Sequence, residues 1–298
     1  MKDGLVIINK AGGVTSQGSV FAVKRLFSAE KAGHTGTLDP MATGVLPVML
    51  GQAAKASAFL TDSKKHYLAT MRLGIETDTE DISGNVIKSS ERIPTEKEVM
   101  ECIKTFVGDI MQVPPMYSAI KINGKKLVDM ARKGEVIERE ARKITLYSIQ
   151  AEKKGEREYS LDIKCSKGTY IRTVCADIGR ELGCYATMTS LVRIESGGFD
   201  ISLAHTVEEI SEMTDEEREK LIIPVERIFL AYRKITLDPF FARLAHNGQE
   251  IYLKKIKEDL PTGEKVRLCD ASGFFALGEV MLFENGSAIK PIRQFKEV

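Results

Sequence analysis

The pattern of apolar residues changes character near residue 230, and that change limits the folds open to this chain. Beyond it, short β-type runs are separated by Asn247-Gly248, Ser272-Gly273 and Asn285-Gly286. Such pairs supply the positive φ of tight turns. Short strands at that spacing over about 65–70 residues suit a compact β-barrel. Before residue 230, strand and helix signals mix irregularly, with no steady βαβ alternation. That favours an α+β fold with a mixed or antiparallel sheet over a doubly wound one. Two domains follow, residues 1–229 and 230–298, in keeping with a prior of roughly 150 residues per domain.

Hydrophobic residues make up 43% of the 298 and charged ones 29%. The chain can therefore bury a sizeable core, and wholesale disorder is excluded. The five cysteines are odd in number and form no C-x-x-C pair. A disulfide framework or a cysteine zinc site is not expected, and a reducing cytoplasm fits. The apolar run Leu5 to Ile8 is too short for a signal peptide, and no stretch approaches the ~20 apolar residues of a membrane span. Cytoplasmic localisation is the expectation.

The net charge of +1 gives no hint of nucleic acid by itself. Its distribution does. Residues 208–219 hold seven acids and one base, a local −6 that leaves +7 elsewhere. From Lys121 to Lys143 there are eight bases and four acids around the turn signal Asn123-Gly124. A basic stretch of this kind can be a footprint for phosphates. On its own, a solvated, salt-bridged surface is the better reading.

Local signals place the elements. Thr15 or Ser16 caps a helix carrying Val20, Val23 and Phe27. Tyr67, Ala69, Met71 and Leu73 alternate as a strand, as do Tyr159, Leu161, Ile163 and Cys165. Thr95 to Glu98 has capping-box spacing ahead of a helix that Gly108 ends, and Thr206 to Glu209 opens a very acidic helix. Thr169 can cap a helix whose stripe is Ile171, Val174, Cys175, Ile178 and Leu182, with Gly183 at its stop. Cys102, Cys165 and Cys175 fall on apolar faces and read as inert core residues.

Residues 33–44, Gly-His-Thr-Gly-Thr-Leu-Asp-Pro-Met-Ala-Thr-Gly, have no clean period and read as an irregular ordered loop. Asp39 is the only acid between Lys31 and Thr61. Pro40 biases it toward extended backbone, and the flanking glycines allow close approach of a ligand. A lone carboxylate on a shaped loop can act as nucleophile or base. An ordinary Asp-Pro turn is the better reading from composition alone. Arg172 stands in the first helical turn, where a cation opposes the macrodipole at a cost of ~0.3–1 kcal/mol. It reads equally as a carboxylate or phosphate partner and as a surface arginine. Tyr67 by its alternation is a core tyrosine. His34, one of four histidines, lacks metal-ligand spacing with any His or Cys.

The run from Gly33 to Pro47, with His34-Thr35-Gly36-Thr37-Leu38-Asp39-Pro40 at its heart, resembles the signature loop of the TruB family of tRNA pseudouridine synthases. Family-like stretches follow in order: Asn9-Lys10 to Ser16, Lys65-His66-Tyr67, Thr77 to Asp81, Pro114 to Ala119, Gly124 to Leu127, Ser166 to Arg172, and Leu191-Val192-Arg193. The segment from 230 resembles the small PUA RNA-binding domain, and the resemblance covers essentially the whole chain. One departure is visible: the family's early motif has Pro where this chain has Ala11.

The resemblance implies a catalytic domain 1–229, with an RNA-clasping insertion at about 114–143, then a PUA-like domain at 230–298. It makes Asp39 the catalytic aspartate, Arg172 its ion-pair partner and Tyr67 the aromatic that stacks on the target uracil. Tyr67 would also take part in removing the C5 proton. His34 would hold the rearranged RNA loop, and Lys10 and Leu191 would support the pocket. The implied reaction converts the T-loop uridine of tRNA, position 55, into pseudouridine. The N1–C1′ bond breaks, the base turns over and a C5–C1′ bond forms. That change is redox-neutral and asks for no cofactor and no metal; no dinucleotide, Walker or metal motif is present. Asp39 can attack C6, attack C1′ or remove the 2′ proton, and the sequence does not choose. The implied partner is the tRNA T-stem loop, with a monomer needing no membrane, protein or guide RNA. A non-catalytic RNA-folding protein and the guide-RNA-dependent archaeal or eukaryotic relative are the alternatives. Intact Asp39, Tyr67 and Arg172 weigh against the first; the Ser118 to Lys126 insertion and short C-terminal domain weigh against the second.

Overall fold

The computed structural model describes residues 3–61, 63–122 and 124–295. The chain opens with β1 (Gly4–Lys10), whose burial is almost complete. Helix α1 (Ser16–Leu26) follows, with Thr15 as N-cap accepting from Gly18 N and with Val20 and Val23 buried. Strands β2 (Ala32–His34) and β3 (Thr43–Leu50) flank the Asp39 loop. The irregular segment is thus shorter than the expected 33–44. Gly33 and His34 pair with Met49 and Val48, so both ends of the run are absorbed into the sheet.

A short helix α2 (Ser57–Thr61) leads to β4 (Lys65–Leu73), in which Lys65, Tyr67, Ala69, Met71 and Leu73 all face inward. Strands β5 (Ile75–Thr77) and β6 (Val86–Ser89) make a separate hairpin. Helix α3 (Glu96–Thr105) carries the expected Thr95–Glu98 capping box, but it stops at Phe106 rather than Gly108. Gly108, at φ +112°, instead begins the edge strand β7 (Gly108–Gln112). Strands β8 (Lys121–Ile122) and β9 (Lys125–Lys126) pair as a hairpin and run into α4 (Leu127–Ala131). Asn123 of the turn signal lies outside the described residues.

Strands β10 (Arg142–Lys153) and β11 (Glu158–Cys165) then lead to α5 (Ile171–Glu181). The N-cap of α5 is Tyr170, without a side-chain cap bond. Thr169 does not cap it; its hydroxyl donates to Ser166 O across the Lys167-Gly168 turn. After α5 come β12 (Ala186–Ser196) and β13 (Phe199–Asp200). The acidic segment is two helices, α6 (Val207–Glu212) and α7 (Asp215–Lys220). Met213 is extended, and Thr214 restarts the chain with a second capping box.

One sheet runs in the order β1-β3-β12-β4-β11-β10-β7, with β2 on β3 and β13 on β12. It is mixed: β12 pairs parallel with β3 and antiparallel with β4. Gly44 makes the parallel pairing possible, because a Cβ there would stand 2.2 Å from Arg193 O. Helices α3 and α5 cover one face through Val99, Ile103, Ile171, Val174 and Ile178. Around β1 and β3, α1 and α6 close a second cluster through Val20, Val23, Phe27 and Ile210.

The remainder is a five-stranded sheet, β14 (Arg233–Thr236), β15 (Ile251–Tyr252), β16 (Lys265–Asp270), β17 (Gly273–Phe283) and β18 (Gly286–Gln294), in the order β14-β16-β17-β18-β15. It is less purely β than the turn pattern implied. Helix α8 (Pro239–His246), N-capped by Asp238, and α9 (Leu253–Ile256) pack into its core. Phe229 is fully buried at the junction of the two sheets, with Phe59, Phe274 and Phe295 ring centroids 5.1, 5.7 and 5.4 Å away. Burying several aromatics together is a strong adhesive, roughly 0.5–1.5 kcal/mol per ring pair beyond area burial.

Candidate active site

The loop between β2 and β3 is strapped from the segment between β1 and α1. The Ser16 hydroxyl donates to Leu38 O at 3.0 Å and accepts from Leu38 N at 2.9 Å. Pro40 O accepts from Gly13 N at 2.8 Å and from Lys10 Nζ at 3.1 Å. Leu38 and Ala42 are buried in the core on either side. Asp39 is therefore fixed at both neighbours while its own side chain keeps about a third of its surface open.

Arg172 meets that carboxylate from the first turn of α5. Its Nε donates to Asp39 Oδ2 at 2.9 Å, and Nη2 lies 3.5 Å from Oδ1. Nη1 donates to Thr79 O at 2.8 Å and stands 3.4 Å from Asp81 Oδ2; Nη2 donates to Tyr117 O at 2.9 Å. Asp81 is held in turn by Thr79 Oγ1 at 2.9 Å and Ser83 N at 3.0 Å, and by the Ser83 hydroxyl. A buried guanidinium with both edges used and two carboxylates beside it is a satisfied charge, and it resists reorientation. The two carboxylates also answer the unfavourable helix position of the cation.

A cavity of about 390 Å³ opens over this pair. It lies near the small end of the roughly 300–1,000 Å³ range of ligand pockets. Asp39, Tyr67, Arg172 and Leu191 line it together with Tyr117, Tyr170 and Arg193. Two sequence candidates stand outside the wall. Lys10 is fully buried beneath the loop, where Nζ donates to Ala11 O and Val14 O at 2.8 and 2.7 Å besides Pro40 O. The turn that carries Ala11 in place of the family's proline is thus closed by the Lys10 ammonium. His34 is half-buried in β2, its Nδ1 without a hydrogen-bond partner among the described residues. Arg193, Asp81, Tyr117 and Tyr170 were not picked out individually by sequence reasoning, although all four fall in the family-like stretches or beside them.

Burial shifts several of these groups. It pushes the Asp39 carboxyl above its usual 3.8, against the pull of Arg172 and Lys10. Burial brings the Lys10 ammonium down to about 8, partly offset by Asp39. Burial raises the Tyr67 phenol, and Arg193 opposes that rise. Burial, then Arg193, lowers His34. Burial also pushes the Cys165 thiol up to about 11, which makes it a poor nucleophile. Among the described residues no group of three His, Cys, Asp or Glu is placed to hold a metal ion. None of the described helices is long and apolar enough to cross a membrane.

An ionised carboxylate fixed by a forked cation, at the mouth of a cavity walled by an aromatic, suits covalent or base chemistry on a flat ring. Comparison with known proteins narrows it. Residues 24–171 match the family described as TruB family pseudouridylate synthase (N terminal domain). Residues 172–230 match the tRNA pseudouridylate synthase B C-terminal domain. The tRNA pseudouridine synthase B of Clostridium tetani (strain Massachusetts / E88) is 41% identical over 93% of this chain and 95% of its own length. That of Neisseria meningitidis serogroup B (strain ATCC BAA-335 / MC58) is 39% identical over 92% and 88%. A chain from the crystal structure of a Cbf5-Nop10-Gar1 complex superposes with a TM-score of 0.74 at 26% identity, covering 99% of this chain and 86% of that one.

Proposed function

The chain belongs to the TruB family of pseudouridylate synthases, and from that premise we infer that it isomerises uridine to pseudouridine in the T loop of tRNA, at position 55. The observation that carries this reading is the Asp39–Arg172 pair at the mouth of a nucleotide-sized cavity.

In this reading Asp39 is the catalytic carboxylate at the ribose–base junction, and Arg172 keeps it ionised and aimed. The target base leaves its stack at a cost of a few kcal/mol. Tyr67 replaces the lost stacking, which is worth roughly 1–3 kcal/mol per base. Leu191 forms the apolar wall beside it. Lys10 acts on the loop rather than on the base, and His34 acts on the RNA outside the cavity. Tyr67 also serves as the base for the C5 proton. The catalytic domain runs to about Phe229, with residues about 114–143 clasping the RNA. The sheet from residue 230 onward is the PUA-like RNA-binding domain. The protein works in the cytoplasm as a monomer, on tRNA alone, without a guide RNA or protein partner. Near-complete mutual coverage with relatives named tRNA pseudouridine synthase B supports tRNA as the substrate.

The test is direct. Purified protein is incubated with an unmodified tRNA transcript, and pseudouridine is mapped. One pseudouridine at the T-loop uridine, absent when that uridine is replaced, is the expected result. No product on naked tRNA, or product elsewhere, overturns the reading.

A further inference from the structure

Arg193 is the largest fully buried side chain among the described residues. Its Nε donates to Val45 O at 2.8 Å, while Nη1 and Nη2 are buried without a well-formed hydrogen bond among the described residues, and the hydroxyl they act on is that of Tyr67. The groups that its charge acts on include Lys10, His34, Cys165 and Tyr67, none of them a carboxylate. A buried guanidinium in that state is costly. It calls for an explanation in function.

Its place in the fold supplies one. In β12, Arg193 is paired with Gly44 of β3 and with Tyr67 of β4. Directly opposed residues of neighbouring strands present their side chains on one face. Both side chains line the cavity. Gly36, at φ +66°, leaves room over the guanidinium, since a Cβ there would stand 3.1 Å from Nη1. Arg193 from β12, Cys165 from β11 and Asp39 from the loop are the titratable groups that act on the phenol, and Arg193 is the cation among them. Lys65 and Arg172 also line the cavity.

We propose that Arg193 is a positioning residue for Tyr67, its guanidinium edge held for the phenolate that Tyr67 becomes when it serves as the C5 base. The phenol first loses its proton to solvent. After the C5–C1′ bond has formed, the C5–H bond breaks and its proton passes to the phenolate oxygen. The bonding pair restores the C5–C6 double bond, and N1 takes a proton from water. No oxidant or further reactant enters. The inference rests on the reading of Tyr67 as that base, and it concerns what makes a buried phenol fit for the task.

The experiment uses the full chain with 2,3,5-trifluorotyrosine at position 67, whose phenol titrates below that of tyrosine. The fluorine resonances are followed against pH without RNA. Arg193→Met raises the midpoint by about one pH unit or more, and Arg193→Lys, which keeps a cation, raises it less. With native Tyr67, Arg193→Met slows single-turnover pseudouridine formation by about tenfold or more, while tRNA affinity stays within about threefold of the parent. Coincident titration of the parent and both variants overturns the proposal, and so does a parental rate in Arg193→Met. If Arg193→Met does not fold, the Arg193→Lys titration decides in the same way. The titration needs no product, so a failure of the tRNA assay overturns the proposed function without being mistaken for a failure of the Arg193–Tyr67 coupling.

Discussion

Arg172 Nε donates to Asp39 Oδ2 at 2.9 Å, while the other edge of the same guanidinium reaches Asp81 and the carbonyls of Thr79 and Tyr117. One planar group therefore fixes the carboxylate to three separate chain segments. An ammonium has no fork and cannot serve them all. Arg172→Lys is expected to bind tRNA normally and to turn over about 10²-fold more slowly, the scale of a misplaced reacting group. Single-turnover kinetics with pseudouridine detection checks this, and a rate within a few-fold of the parent would show that the fork is dispensable.

Asp39→Asn keeps the shape of the loop, since Ser16, Gly13 and Lys10 hold its backbone and not its carboxyl. Fold and tRNA affinity should survive, and product formation should fall by on the order of 10⁴-fold or more, as when a sole nucleophile or base is removed. Circular dichroism, filter binding and pseudouridine mapping on one preparation separate these properties. Retained turnover would remove Asp39 from the chemistry.

How much of this site can be read in the sequence depends on distance along the chain. Strands β4 and β11 and the caps of α1 and α3 follow from patterns a few residues long, and the structure contains them. Asp39 stands out because its loop lacks any other acid. Its bond to Arg172 spans 133 residues, and no local pattern encodes it. The Thr169 cap fails because the helix begins one residue later, with Tyr170 at the N-cap position and the Thr169 hydroxyl turned back to Ser166 O, a shift that spacing does not reveal. Arg193 escaped notice because β12 was not read as a strand; a charge two residues from Leu191 on a buried strand is the signal that would have exposed it. In the C-terminal sheet, Asp238-Pro239 is a helix start that the surrounding turn signals obscured.

The pH response of Asp39 has a definite sign. Burial raises its carboxyl above 3.8 in the folded protein, with Arg172 opposing. The folded state then holds its proton more tightly than the unfolded state does. The burial penalty is present above the raised pKa and relieved as pH falls through it. In the role proposed for Asp39, activity needs the ionised form and moves the opposite way. The acid limb of the single-turnover rate is expected to lie above pH 3.8. Over the same window the stability of the parent relative to Asp39→Asn should improve with falling pH, as read by denaturant midpoints. A relative stability that falls with pH there would mean that the ion pair outweighs burial.

Lys10 makes the converse case. Burial lowers its pKa to about 8 from 10.5. Between those values the unfolded chain binds more protons, so this group's contribution to stability rises with pH. A neutral amine has two N–H donors for the three carbonyls it now serves. The Asp39 loop should loosen as the fold itself gains. Lys10→Met is expected to lose the stability rise between pH 8 and 10.5, and to slow turnover at neutral pH without weakening tRNA binding. Parallel melting curves of parent and variant across that range test it; identical pH slopes would place the ammonium in water.

The basic insertion makes a separate prediction about binding. Lys125, Arg132 and Lys133 are exposed around the β8–β9 hairpin and α4. Exposed cations beside RNA act by releasing counterions, so affinity for tRNA should fall as salt rises. Each phosphate contact removed should flatten the plot of log affinity against log salt by about 0.7–0.9. Lys125→Ala with Lys133→Ala is expected to weaken binding and reduce that slope by roughly 1–2. The single-turnover rate at saturating enzyme should be unchanged, because neither residue lines the cavity. An unchanged slope would leave these lysines as ordinary solvated charges and move the phosphate contacts elsewhere on the surface.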